Sequence, residues 1–133
     1  MHSCQDMANY RFEQAEQCLK SAQALIDTND FKGAANRSYY GVFHGIRSVL
    51  ALDNTDFKSH AALISHFRKE YIKTQKFPTL LSDIIGKLFT VRNKSDYDDF
   101  YIIKKEDVIS QLSSAEFFLT EIRKFLDKEP PQC

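Results

Sequence analysis

The sequence has few of the residues that interrupt regular secondary structure. It contains only four glycines and three prolines in 133 residues, and two of the prolines lie among the last four positions. It also has no stretch in which valine, isoleucine or threonine alternates with polar residues, which is the pattern of a half-buried strand. These absences predict an all-α protein.

A charge of one sign is also missing, because 18 basic residues balance 18 acidic residues. The total charge therefore indicates neither nucleic acid nor a membrane as a partner, although it is compatible with a local basic patch. The first twelve residues lack the apolar stretch of a signal peptide, and no window has the length and hydrophobicity of a bilayer span. We therefore expect no membrane association.

Metal and redox motifs are absent as well. The three cysteines, Cys4, Cys18 and Cys133, have no metal-ligand spacing, and their odd number is a poor basis for a disulfide framework. Such cysteine usage favours a reducing compartment, so the expected location is cytoplasmic. His60 and His66 fall on different sides of a helix and form no metal pair. No glycine-rich phosphate loop, nucleophile elbow or paired-carboxylate motif occurs. We expect no metal and no cofactor.

Helical periodicity predicts four or five helices. They span approximately residues 3–28, 30–54, 59–73, 78–92 and 105–126. Residues 95–103 are expected to form the end of the fourth helix and the connection to the last one. Ser3 with Asp6 is a weak capping-box signal, and the third helix places Ala62, Phe67 and Tyr71 near the core. The predicted architecture is an antiparallel up-and-down bundle of four to five helices. It forms a single domain, 1–133, with a core of about 8–127 and a tail, 128–133.

The second helix has two unlike faces. Its apolar stripe has the width of a core-facing helix and comprises Phe31, Ala35, Tyr39, Val42, Phe43, Ile46, Val49 and Leu50. The opposite face contains no carboxylate and comprises Gly33, Asn36, Arg37, Tyr40, His44 and Arg47. Solvated faces usually mix acids with bases, so this face is better suited to another helix, another subunit or an anion. Either it packs on neighbouring helices, or part of it lines a functional cleft.

A dense polar cluster ends the fourth helix and comprises Arg92, Asn93, Lys94, Ser95, Asp96 and Tyr97. Arg92 and Asp96 are spaced i, i+4 and can form an ordinary surface ion pair, which contributes little to stability. Alternatively, Arg92 holds a phosphate with its planar guanidinium, Asp96 orients it, and Tyr97 supplies a hydroxyl or a stacking face. His44 is either a packed, hydrogen-bonded histidine or a general base.

Residues 35–47, ANRSYYGVFHGIR, resemble the signature helix of the HEPN domain family (higher eukaryotes and prokaryotes nucleotide-binding). In one subgroup this helix reads approximately A-x-R-x-Y-Y-A-x-F-H-x-x-R. The similarity continues through residues 58–60, KSH, and Phe67, and through residues 92–97, which are similar to that subgroup's R-x-x-x-D-Y. It ends with residues 115–118, AEFF, in the last helix. The resemblance covers roughly residues 8–127.

The resemblance implies a small antiparallel helical bundle that forms a two-fold homodimer. Many members of the family are metal-independent endoribonucleases that use Arg-x4-6-His, with two copies facing each other across the dimer cleft. Arg92 falls on the family's arginine, but Tyr97, Asp98 and Asp99 occupy the three positions where the histidine would stand. The sequence therefore departs at the residue that defines the nuclease, and another group, such as His44, would have to move the proton.

Related proteins are often encoded beside a minimal nucleotidyltransferase, in a two-component system of the toxin–antitoxin kind. A tyrosine near this motif is modified in some of them, which makes Tyr97 a candidate for nucleotidylation. The favoured hypothesis is a dimeric binding module for a nucleotide, RNA or such a partner. Its candidate binding residues are Arg37, Tyr40, His44, Arg47, Arg92, Asn93, Asp96 and Tyr97. The alternatives are a divergent endoribonuclease toxin using Arg92 with His44 or Tyr97, and a purely structural interaction domain.

Overall fold

The computed structural model describes residues 2–131 and residue 133. Within this part of the chain, five α-helices and one π-helical turn form, and no strand. The elements are α1 (Cys4–Asp27), α2 (Phe31–Ala51), α3 (His60–Phe67), the π turn (Arg68–Ile72), α4 (Leu80–Tyr97) and α5 (Lys105–Lys128). The predicted all-α class is confirmed. None of these helices combines the length and the hydrophobicity that crossing a bilayer requires.

The four long helices α1, α2, α4 and α5 pack in an up-down-up-down arrangement. Lys32, near the start of α2, lies with its Nζ 3.5 Å from the carbonyl oxygen of Asp98, just after the end of α4, so these two helices are antiparallel. Similarly, the guanidinium of Arg123 near the end of α5 lies over the ring of Phe12 near the start of α1. The predicted antiparallel bundle is therefore what the chain forms.

The short α3 and the π turn run beside α2 in the same direction as α2. At one end, Nδ1 of His60 lies 3.0 Å from the hydroxyl of Tyr39, in the middle of α2. At the other end, the hydroxyl of the buried Tyr71 donates to the carboxylate of Asp53, just past the end of α2. The connection between α2 and α3 must therefore run back along α2, which brings His60 against Tyr39 and Phe43.

The predicted third helix is interrupted within its length. The α-helix ends at Phe67, and the backbone N–H of Lys73 then donates to the carbonyl of Arg68 with the i to i+5 pattern of a π turn (2.8 Å). Such turns are frequent at functional sites. Phe67 is buried as predicted, but the prediction for Ala62 is wrong. Ala62 is exposed because the core face of α3 begins one position later, at Leu63.

The helix ends and core faces agree closely with the sequence pattern. Ser3 and Asp6 form the full capping box of α1, and the side chain of Asp30 caps α2 by accepting from the N–H of Gly33 (2.9 Å). The apolar stripe of α2 is buried apart from the partly exposed Phe31. The apolar positions of α5 are all buried, namely Val108, Leu112, Ala115, Leu119, Ile122 and Leu126.

The expectation that the three cysteines are a poor basis for disulfides is wrong. Cys4 and Cys133 are joined in a disulfide whose Cα atoms lie 5.6 Å apart, within the normal range for such a bond. The pairing arises because α1 begins and α5 ends at the same end of the bundle, which a count of cysteines does not reveal. Cys18 is free and buried.

Candidate functional site

The carboxylate-free face of α2 lies at a junction of elements rather than in bulk solvent. All six of its residues are half-buried: Gly33, Asn36, Arg37, Tyr40, His44 and Arg47. Their neighbours are α1, the start of α3 and the end of α4. The sequence predicted that this face contacts another helix, another subunit or an anion. Within the chain, it contacts other helices.

Arg92 of α4 is held against this face by several groups. Its Nη2 donates to the hydroxyl of Tyr40 at 3.1 Å, and its guanidinium carbon lies 5.3 Å from the ring centroid of Tyr39 and 5.4 Å from that of Tyr40. Its Nε lies 2.9 Å from a carboxylate oxygen of Asp96 in an ion pair, although the N–H does not point linearly at that oxygen. The side-chain oxygen of Asn93 is 3.4 Å from Nη1. Arg92 is thus a fixed cation between α2 and α4.

Tyr40 is flanked by two cations. The guanidinium carbon of Arg37 lies 5.1 Å from the centroid of its ring, close to the 5.4 Å for Arg92. The Nε and Nη2 of Arg37 both donate to the side-chain oxygen of Asn36, at 3.1 and 2.8 Å. These contacts combine cation–π attraction with an oriented guanidinium. Two positive charges therefore converge on a single phenol ring, which favours an anion nearby.

His60 is the histidine that the fold brings next to Arg92. Its Nδ1 pairs with the hydroxyl of Tyr39 at 3.0 Å, and its ring stacks on that of Phe43 with centroids 4.1 Å apart. Burial lowers the pKa of His60, and the positive charges of Arg92 and Arg47 lower it further. Burial also raises the pKa of Tyr39 to about 12. The shift of the His60 pKa favours the neutral form of the imidazole.

His60 opens into a cleft of about 610 Å³ beside α2. The cleft has aromatic, basic and acidic walls formed by Phe43, Arg47, Asp56, Phe57, Lys58 and His60. This volume lies within the range of small-molecule sites. Arg92 and Tyr40 do not line this cavity, but His60 lines it and pairs with Tyr39, over whose ring Arg92 lies. We call Arg92, the ring of Tyr40, His60 and this neighbouring cavity the Arg92 cleft.

His44 lies one turn along α2 from Tyr40, with the two ring centroids 6.3 Å apart. Its Nδ1 is buried and has no hydrogen-bond partner in the described part of the chain. Burial lowers its pKa, and so do Arg47, Arg37 and Arg11, in decreasing order. Arg92 does not contribute to this shift, whereas it does for His60. Sequence reasoning paired Arg92 with His44 and overlooked His60 as a candidate site residue, although residues 58–60 belonged to the family resemblance.

Arg47 is engaged in an internal ion pair. Its Nη2 lies 2.8 Å from the carboxylate of Asp56, which also approaches Arg11 at 3.4 Å. Burial by itself would raise the pKa of Asp56, but the hydrogen bonds from Arg47 and the backbone of Phe57, with the charges of both arginines, lower it overall. An anion that uses Arg47 must therefore compete with Asp56.

Tyr97 does not join the cluster around Arg92. It ends α4, and its side chain is 81% exposed. It begins a run with two further exposed apolar side chains, Phe100 at 92% and Ile102 at 84%. Asp98 and Asp99 lie between them and are exposed. The three positions where the resemblance would place a histidine are therefore all exposed.

The whole helical unit matches one known family. The sequence profile of the HEPN domain matches residues 8–125, a range that extends from the first turns of α1 almost to the end of α5. The chain belongs to the HEPN domain family.

Several relatives resemble this HEPN protein over most of their length. A "UPF0332 protein" of Thermotoga maritima is 27% identical over 96% of each chain. A protein of Methanocaldococcus jannaschii named "Putative toxin MJ0142" is 30% identical over 86% of this chain and 78% of its own length. A "UPF0332 protein" of Archaeoglobus fulgidus is 25% identical over 92% of this chain and 98% of its own.

Proposed function

We propose that this HEPN protein is a binding module of a toxin–antitoxin-like system, and that its Arg92 cleft holds a phosphate group of RNA. The observation that carries this proposal is the guanidinium of Arg92, which Tyr40 and Asp96 hold in place, with a second cation, Arg37, close to the same ring of Tyr40. A planar, pre-oriented guanidinium matches the geometry of a phosphate. The relatives named as toxins support the proposed biological setting.

The aromatic side chains of the cleft favour RNA over inorganic phosphate. Phe43 and His60 stack on each other with ring centroids 4.1 Å apart, and both line the cavity together with Phe57. Unpaired bases bind to proteins by stacking on such rings, while basic groups hold the backbone. Lys58 on the rim of the cleft adds a further cation. We therefore propose single-stranded RNA as the ligand.

The proposed partners are a second copy of the chain and a minimal nucleotidyltransferase. The exposed run at the end of α4 supports an interface there, because Phe100 and Ile102 leave large apolar surfaces uncovered in the chain by itself. Tyr97 in the same run is the proposed acceptor of a nucleotidyl group, since its hydroxyl is accessible to an enzyme. In protein from the native host, the peptide that contains Tyr97 should be heavier by the mass of one nucleotidyl group. A Tyr97→Phe protein from the same host should lack this added mass.

A second candidate function is metal-independent RNA cleavage, which the neutral His60 beside Arg92 favours. In the tautomer whose Nδ1–H donates to the oxygen of Tyr39, Nε2 is free to take the proton of a ribose 2′-hydroxyl. The 2′-oxygen then attacks the adjacent phosphorus and the bond to the 5′-oxygen breaks, giving a 2′,3′-cyclic phosphate. The proton on His60 returns to the leaving 5′-oxygen, while Arg92 stabilises the phosphorane charge.

The test is a titration of a fluorescent single-stranded RNA of about twelve nucleotides in EDTA, a length suited to one single-strand binding site. Arg92→Ala should weaken binding by about 10- to 100-fold, the worth of a charge-assisted contact. It should also reduce the dependence of log K on log salt by about 0.7 per lost contact. Arg123→Ala is the matched control, because Arg123 forms an equivalent i, i+4 pair with Asp127 at 2.9 Å away from the cleft.

The possible results separate the two candidate functions. Binding that is absent, or equally weakened in both variants, would contradict the binding proposal. Cleavage of the RNA in EDTA that disappears in both Arg92→Ala and His60→Gln would establish the second function instead. Cleavage that survives in both variants would indicate a contaminating nuclease.

A further inference from the structure

A second cleft lies between the π turn and α4, with a volume of about 750 Å³. Its floor is apolar and is formed by Ile64, Ile72, Ile85 and Phe89. Its rim carries three cations, Arg68, Lys69 and Lys73, and one carboxylate, Asp83. We call it the π-turn cleft. An apolar floor with a few polar groups at the edge is the usual composition of a small-molecule site.

The guanidinium of Arg68 is held in place within this cleft. Its Nε donates to the hydroxyl of Ser82 at 2.9 Å, and its Nη2 donates to the carbonyl oxygen of Ser82 at 3.0 Å. A Cβ atom at Gly86 would lie 3.4 Å from Nη2, which is an ordinary contact distance, so the arginine lies close to the backbone of α4 at this position. Since both bonds to Ser82 use one side of the guanidinium, Nη1 remains available to a ligand.

The cations of the rim are not neutralised from within. Among the described residues, no carboxylate lies within ion-pair distance of Arg68, Lys69 or Lys73. In the Arg92 cleft, by contrast, Arg92 pairs with Asp96 and Arg47 pairs with Asp56. Three positive charges against the one carboxylate of Asp83 leave an excess of two on the rim. An organic phosphate monoester carries about −1.5 to −2 at pH 7 and can accept from a guanidinium through several oxygens.

We propose that the π-turn cleft binds a small organic monophosphate, with its flat apolar body on the isoleucine floor and its phosphate on Arg68, Lys69 and Lys73. Lys69 in the π turn and Lys73 directly after it are exposed, while Ile72 between them is buried. The site is separate from the Arg92 cleft. Phe89 lies between the two, lining the π-turn cleft and packing on Tyr39 with ring centroids 5.9 Å apart.

Calorimetric titration with 1-naphthyl phosphate and with AMP tests this proposal on the intact chain. We expect saturable binding of one molecule per chain for at least one of them, and at least tenfold weaker binding of its phosphate-free counterpart, 1-naphthol or adenosine. Inorganic phosphate should also bind at least tenfold more weakly, because it cannot use the apolar floor. Equal affinity for inorganic phosphate, or no saturable binding of either organic phosphate, would overturn the proposal.

Charge-reversal variants locate the site. Lys69→Glu with Lys73→Glu should weaken binding at least tenfold without affecting folding, because both side chains are exposed. The control is Lys20→Glu with Lys105→Glu, which makes the same charge change at exposed positions outside the cleft. Equal weakening in the control pair would overturn the assignment. Weakening in Arg92→Ala without weakening in the Lys69 and Lys73 variant would assign the ligand to the Arg92 cleft instead.

Discussion

The Nη2 of Arg92 donates a hydrogen bond to the hydroxyl of Tyr40 at 3.1 Å, joining two residues that are 52 positions apart in sequence. The two side chains come from antiparallel helices, α4 and α2, and each also contacts Tyr39. The position of the cation therefore depends on the packing of these two helices as well as on its own ion pair with Asp96. This dependence makes the hydroxyl of Tyr40 a useful probe of the proposed RNA site.

Tyr40→Phe should weaken RNA binding several-fold, and less than Arg92→Ala does, because the ring stays and only the acceptor for Nη2 is lost. The free energy of unfolding should fall by about 0.5–1.5 kcal/mol, the usual net value of one hydrogen bond. Fluorescence anisotropy and urea denaturation measure the two effects. Binding equal to that of the wild-type protein would show that the hydroxyl does not position Arg92.

The stability of the protein should decrease as the pH falls below about 6.5, the ordinary pKa of histidine. Burial lowers the pKa of His44 and of His60 in the folded chain, so the unfolded chain binds more protons in this range and is favoured. This stability is fully present above the unfolded pKa and is lost progressively toward the folded one. In urea denaturation at pH 7.5, 6.5 and 5.5, the free energy of unfolding should fall less with decreasing pH for His44→Gln than for the wild-type protein. The exposed His2→Gln serves as the control, and equal slopes in both variants would contradict the prediction.

Breaking the disulfide between Cys4 and Cys133 should lower the stability of the oxidised protein. The bond joins residues 129 positions apart and so restricts the unfolded chain over nearly its whole length. A loss of about 2–4 kcal/mol is typical for removal of such a cross-link. Denaturation with and without a reductant measures it, and Cys133→Ser should no longer respond to the reductant. A wild-type protein that is unaffected by reduction would show that the bond contributes no stability.

Two glycines should respond to alanine in opposite directions. A Cβ at Gly45 would lie 2.7 Å from Cδ2 of Leu119 in α5, so Gly45→Ala should cost about 1–3 kcal/mol from overpacking, which exceeds the gain in helix propensity of up to about 1 kcal/mol. At Gly86 the nearest atom is Nη2 of Arg68 at 3.4 Å, so Gly86→Ala should stabilise the chain by up to about 1 kcal/mol. Urea denaturation of both variants tests the contrast. Equal effects would show that α2 and α5 are not packed closely at Gly45.

The wild-type protein should be a dimer by light scattering at tens of micromolar. The double substitution Phe100→Ser and Ile102→Ser should shift it toward the monomer, because these side chains are the proposed apolar contact. Leu80→Ser is the control, since Leu80 is also an exposed apolar residue but lies at the opposite end of α4. A monomeric wild-type protein would contradict the proposed dimer, and a dimer that survives the double substitution would place the interface elsewhere.

Much of the fold followed from local sequence patterns. Ser3 with Asp6 was predicted as a weak capping box and forms a full one, and the apolar stripe predicted for α2 is buried apart from the partly exposed Phe31. These features depend on residues within one or two helical turns of each other, so their spacing in sequence is their spacing in space. The break at Phe67 was not predicted, because residues that form a π turn have no periodicity of their own and tertiary packing decides between the two coils.

The candidate site shows the same division. Sequence similarity indicated Arg92 and the second helix as elements of a site, and it showed that the expected histidine is replaced at Tyr97, Asp98 and Asp99. It did not indicate that His60 lies against Tyr39 and Phe43, because that contact requires the connection after α2 to run back along the helix.

The amino-acid sequence by itself determined the helices, their caps, the apolar faces and the chemical character of the α2 surface. Only the tertiary structure decided which histidine lies near Arg92, that Arg47 pairs with Asp56, that Cys4 meets Cys133, and that the cations of residues 68–73 share a cleft with α4. The physical reason is the range of the interactions. Helical periodicity is set by hydrogen bonds between residues four positions apart. The clefts are set by contacts between side chains that the chain separates by tens of residues, and these exist only once the helices have packed.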